Sequence, residues 1–227
     1  MKRTIASLII IIFSISVLLG QTKANKPSAT YSPVIKNGKW GFVDAKGKIV
    51  IEPKYDRANK FSEGLAAVTI DKKVGYIDLT GKMVIEPKYV LGNSFSNGLA
   101  AVRITKKDKI GFIDRDGRMV IEPRFERASN FSEDFAAVRI DKKHGFIDKT
   151  GAVKIEPQFE GCHCFSQGFA AVKVNDKWGY VDKNGKYLVK PQFDAVGDFS
   201  CGQARVVQGN RIGFMDQSGN ITWVPMQ

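Results

Sequence analysis

Apolar and polar positions alternate in short runs along most of the chain. In LAAVTI, Leu65 to Ile70, the residues Ala66, Val68 and Ile70 face one way and Thr69 the other. KWGFV, from Lys39, carries Trp40 and Phe42 on one face and Val43 on the other. IVIEPKY, from Ile49, sets Ile49, Ile51, Pro53 and Tyr55 against an outward row of Val50, Glu52 and Lys54. A period of two in runs rich in β-branched and aromatic residues predicts strands. No window keeps helical spacing for more than a turn or two, so the expected class is all-β.

The same three-strand pattern recurs. A Gly stands at 41, 75, 111, 145, 179 and 213, spaced by 34, 36, 34, 34 and 34 residues. An Asp follows it by three residues, a second Gly by six and a Pro by twelve, in all six copies. Five copies continue to a Phe-Ser pair, beginning at Phe61, Phe95, Phe131, Phe165 and Phe199. A fixed period in this range marks a tandem repeat. Each Asp-x-x-Gly (DAKG, DLTG, DRDG, DKTG, DKNG, DQSG) reads as a turn: Asp bonds its own backbone and Gly takes the positive φ. Asp71-Lys72, Asp141-Lys142 and Asn175-Asp176 mark the other hairpins. The longer copy carries its two extra residues in ITKKDK, Ile104 to Lys109, where an insertion only lengthens a surface turn.

Pro cannot donate to a sheet ladder and favours edges, so discrete three-stranded antiparallel meanders packed face on face are expected, with the Pro strand outermost. The paired alanines (66-67, 100-101, 136-137, 170-171) suit a crowded inner strand. Six such units fall in the range of propellers, and a propeller-like ring is favoured over an open β-superhelix or solenoid. Ser32 to Lys36 reads as a first inner strand and Ile221 to Pro225 as a last outer one.

Trp40-Gly41, Trp178-Gly179, the Asp-x-x-Gly turns, the Glu-Pro-x-aromatic steps and the Phe-Ser-x-Gly-Leu/Phe-Ala-Ala-Val strands together resemble the bacterial WG repeat proteins, from Lys39 to about Pro225. The resemblance implies the repeat fold and supplies no catalytic residues. The chain departs from it at Val74, Ile110, His144 and Ile212, which stand in the Trp column.

The N-terminus differs from all of this. Lys2 and Arg3, an apolar run from Ile5 to Leu19 and a polar exit read as a secretory signal over residues 1–24, followed by a linker at 25–31 and the repeat domain at 32–227. The apolar run is short for a spanning helix. Thr22 and Ala24 suit cleavage after Ala24, with Gly20 the second choice. The protein is therefore expected to be exported: periplasmic, secreted or on the cell surface. The formal charge is +12, and that cleavage removes three of those positive charges. A basic exported protein meets acidic proteins, envelope polysaccharide or anionic lipid rather than nucleic acid.

Catalysis needs residues that break a repeat, and few do. The serines at 62, 96, 132, 166 and 200 recur as one turn position. Glu52, Glu86, Glu122 and Glu156 recur too, and Lys54, Lys88 and Arg124 are their expected partners. No acid, base or nucleophile is set apart, so no enzyme activity and no cofactor are expected. The irregular stretch EGCHCFSQG brings Cys162, His163 and Cys164 together, and Cys201 lies one copy on. Their spacing is poor for a metal; in an exported protein, a disulfide from Cys201 to Cys162 or Cys164 is the candidate. For binding, the candidates are Trp40 and Trp178 with their basic neighbours Lys39 and Lys177, which could stack on sugar rings or partner side chains; packing between sheets is the competing role. The function expected is a non-enzymatic module that binds or scaffolds a protein, with an anionic envelope polymer or carbohydrate as the alternative ligand.

Overall fold

The computed structural model describes residues 31–225; the expected signal and nearly all of the linker lie outside them. Every regular element among these residues is a strand, and the strands form six antiparallel meanders in chain order. Sheet one spans Ser32–Tyr55, sheet two Arg57–Tyr89, sheet three Leu91–Phe125, sheet four Arg127–Phe159, sheet five Gly161–Phe193 and sheet six Ala195–Trp223. The first and last strands expected from the sequence are present at Ser32–Lys36 and Ile221–Trp223.

Five sheets have four strands where three were expected. The extra strand is two residues long. In sheet two it is Arg57–Ala58, which pairs Arg57 with Thr69 and Ala58 with Val68. Two residues carry no readable alternation, so the pattern could not announce them. The Pro strand lies at the opposite edge, where its missing N–H costs no ladder bond.

The Gly column is explained by this edge. Val74 pairs with Tyr89 and Tyr76 with Ile85, so the Pro strand bulges over Gly75. A Cβ on Gly75 would lie 2.6 Å from the Ile85 carbonyl oxygen and 2.8 Å from the Pro87 nitrogen. Gly111, Gly145 and Gly179 meet the same backbone at 2.5 Å. The Asp column does what its spacing implied. Asp44 Oδ1 accepts from the Lys46 and Lys48 N–H groups at 2.9 Å each, and Asp78, Asp114, Asp148, Asp182 and Asp216 repeat the arrangement. Asp71-Lys72, Asp141-Lys142 and Asn175-Asp176 all have positive φ, as a tight hairpin of matching twist requires.

The core lies between sheets. One buried cluster joins Leu65, Ala67, Tyr76 and Tyr89 of sheet two to Ala100, Val102 and Ile113 of sheet three. Four more clusters repeat this for each neighbouring pair. Each fully buried aromatic contributes about 1.5–3 kcal/mol, and none could be buried by one sheet alone. Polar bonds add register: Ser62 Oγ donates to the Phe95 carbonyl at 2.6 Å, and Ser96, Ser132 and Ser166 do likewise one sheet on.

The two ends differ. Residues following the Gly column are buried in sheets one to five: Phe42, Tyr76, Phe112, Phe146 and Tyr180 are at most 1% exposed. Phe214, their counterpart in sheet six, is 42% exposed, beside the exposed Ile212 and Val224. Among the described residues, no buried cluster joins sheet six to sheet one.

Candidate binding site

One row across each of sheets one to five contains the Trp column and ends on the closing aromatic. In sheet five it reads Gly161, Lys173, Trp178, Phe193. Trp178 is partly buried, packed on the cluster between sheets five and six. A Cβ on Gly161 would lie 3.5 Å from its Cη2, so the indole reaches toward Gly161. The His163 ring lies 4.8 Å from it between centroids, and His163 Nδ1 bonds Asp198 Oδ1 at 2.7 Å. Trp40 is likewise partly buried, against the cluster between sheets one and two. The two tryptophans thus stand in equivalent places four sheets apart and do not form one site.

Their basic neighbours are engaged. Lys39 Nζ lies 2.6 Å from Asp56, and Lys177 pairs with Asp194 in the same way. The bond to Asp56 raises the Lys39 pKa, and the bond to Lys39 lowers that of Asp56. Asp56 also accepts from the Asp71 N–H at 2.9 Å, clamping the hairpin of sheet two; Glu160 and Asp194 clamp the equivalent turns of sheets five and six. This acidic position went unread in the sequence, although it follows the closing aromatic in four of five steps. The exception is Val90, ahead of sheet three, whose hairpin carries the insertion.

The cysteines are free thiols in this structure, so the possible disulfide among Cys162, Cys164 and Cys201 is not formed. Cys162 packs against the cluster between sheets four and five, where burial pushes its thiol up to about 12. Cys201 is exposed at a turn with φ of 50°. The expected pairs of Glu52, Glu86 and Glu122 with Lys54, Lys88 and Arg124 are also absent. Lys54 and Lys88 lie over Tyr55 and Tyr89 at 5.4 and 5.3 Å, and Arg124 over Phe125 at 5.0 Å, where it also donates to the Gly151 carbonyl. Among the described residues, no group of three His, Cys, Asp or Glu side chains could hold a metal.

One concavity among the described residues lies where the Trp column holds Val; others, of about 310 and 300 Å³, lie on sheets four and five. A cleft of about 540 Å³ is lined by Asp56, Arg57, Thr69, Asp71, Lys72, Val74 and Val90. A smaller hollow of about 190 Å³ shares Arg57, Thr69 and Val74 and adds Leu91 and Gly92 of sheet three. The walls are aliphatic at the base and charged at the rim, which suits retention of a ligand with an apolar body and polar edges. Sequence reading passed over Val74 and Val90; the signal was that each breaks a column of the repeat.

Fold and site together define a tandem β-sheet repeat protein with a cleft between two consecutive sheets. The chain belongs to the WG containing repeat family, whose repeat matches residues 40–73, 75–107, 110–143, 145–178 and 178–211. The search of curated proteins finds no match. Solved structures with β-propeller-like folds are similar to it. A Kluyveromyces lactis Hsv2p structure has TM-score 0.56 at 12% identity, over 86% of this chain and 80% of that one. A eukaryotic initiation factor has TM-score 0.50 at 12% identity, over 87% and 73%. Hsv2 with loop 6CD replaced by a Gly-Ser linker has TM-score 0.48 at 13% identity; 72% of this chain is covered but only 62% of that one, under two thirds of its length. At these identities the likeness concerns the fold alone.

Proposed function

We propose that this is an exported, non-enzymatic repeat module that binds a protein partner, using the cleft between sheets two and three. The observation that carries this reading is the cleft's position: it arises where two columns of the repeat are broken at once, Val74 for Trp and Val90 for an acid. The recurring polar groups elsewhere are engaged in turns and sheet-to-sheet bonds, which supports a scaffold rather than a reaction centre. The basic charge, +12 for the full sequence and three lower after the expected cleavage, favours a second reading, in which an anionic envelope polymer is held by lysines and arginines.

Salt separates the two, because exposed charge pairing is screened and apolar burial is not. The chain without its first 24 residues retains every described residue and serves as bait for a cell-envelope extract. A protein retained at 0.05 M and at about 1 M salt is the expected result. Recovery of polysaccharide or lipid alone, lost as salt rises, contradicts it.

A further inference from the structure

The repeat supplies its own guide to what the cleft accepts. The row Arg57, Thr69, Val74, Tyr89 in sheet two is in register with Gly161, Lys173, Trp178, Phe193 in sheet five. In sheet five the indole of Trp178 lies along this row toward Gly161. In sheet two Val74, packed close to Gly92 of sheet three, stands in the Trp place and Arg57 in that of Gly161, and both line the cleft.

We propose that the cleft between sheets two and three receives an aromatic side chain of the partner protein, a tryptophan before others. This rests on the protein-binding reading and names what that site recognises. Three features fit an indole. Val74 and Val90 offer aliphatic walls to its faces. Arg57 is exposed, lines both hollows and makes no ion pair among the described residues, so its guanidinium is free to lie over an incoming ring. The chain uses that contact itself, with Arg211 at 4.1 Å over Trp223, and Arg over Trp is the strongest pairing of this kind. The carboxylate of Asp71 on the rim can accept the indole N–H.

The other exceptions to the Trp column do not leave the same opening. Ile110 is buried in sheet three, and Ile212 lies with Phe214 on the exposed outward face of sheet six, where among the described residues no following sheet walls a cleft. His144 in sheet four is half-buried, and desolvation, then the charges of Arg139 and Arg127, lower its pKa. The inference is therefore particular to sheet two.

The test titrates N-acetyl-tryptophanamide into the chain lacking its first 24 residues, followed by amide chemical shifts. The expected result is saturable shifts at Val74, Val90 and Gly92, with a dissociation constant on the order of a millimolar, and none with N-acetyl-alaninamide. Val74→Trp fills the cleft and abolishes the response. Arg57→Ala, at an exposed position, weakens it about fivefold and guards against a folding defect in the first variant. Absent or scattered shifts, or equal binding by Val74→Trp, overturn the proposal. The protein-binding reading fails on different grounds, when wild-type bait retains no protein at high salt. Retention of one protein equally by wild type and Val74→Trp leaves that reading standing and sinks the aromatic site.

Discussion

The Asp148 carboxylate is held down to about 2, first by the Thr150 hydroxyl and then by Lys154 and the N–H groups of Thr150 and Ala152. A carboxylate whose pKa falls on folding contributes stability above its unfolded value, near 4, and loses it as pH drops through the folded value. Stability should therefore decline between about pH 4 and pH 2. Asp148→Asn keeps an acceptor but no charge. It should flatten the decline and cost about 1 kcal/mol at neutral pH, as read from urea unfolding across that range; an unchanged slope would show that the turn does not depend on the charge. The thiols give a second residue-scale contrast. Cys201 is exposed, whereas Cys162 is partly buried against the cluster between sheets four and five and its thiol is raised to about 12. At pH 8 an aromatic disulfide reagent should modify Cys201 quickly and Cys162 only on unfolding, since the thiolate is the reacting form. Equal rates at both would contradict the packing of Cys162.

Within one sheet, the Gly column is the position least able to change. A Cβ on Gly145 would meet the Ile155 oxygen at 2.5 Å and the Pro157 nitrogen at 2.7 Å, backbone atoms that cannot rotate away. Gly161 has ordinary room, with its nearest contacts at 3.5 and 3.7 Å. Gly145→Ala should lower stability by roughly 2–4 kcal/mol, and Gly161→Ala by less than about 1. Comparable denaturation midpoints for the two would refute the bulge as the reason for the glycine. These columns were legible because each stands for a local demand: Asp to bond its own turn, Gly to admit a bulge, Pro at an edge. The two-residue strands were not, since pairing at that length is imposed by the neighbouring strand rather than by alternation. Lys39 and Lys177 read as free cations because their partners, Asp56 and Asp194, sit 17 residues away on the step to the next sheet, a distance that periodicity within one strand cannot reveal. The cleft was hidden for a related reason: Val74 is an unremarkable strand residue until its row is laid over that of Trp178.

Across the whole molecule, each of the first five sheets is completed by its successor, and the proposed binding cleft lies where that completion falls short. Sheet two keeps its successor but lacks the side chain that would fill the gap. Among the described residues, no sheet follows sheet six. Its outward face carries the exposed Arg205 where sheets two to five have the buried Ala67, Ala101, Ala137 and Ala171, a charge that opposes close stacking. The most direct measurement places a 4-fluorophenylalanine at 214 or at 146 and compares the fluorine shift in light and heavy water. The structure predicts a large solvent shift at Phe214, 42% exposed, and almost none at Phe146, fully buried by the following sheet. Equal shielding at both positions would contradict the claim, because sheet one or a second chain would then have to cover the last face.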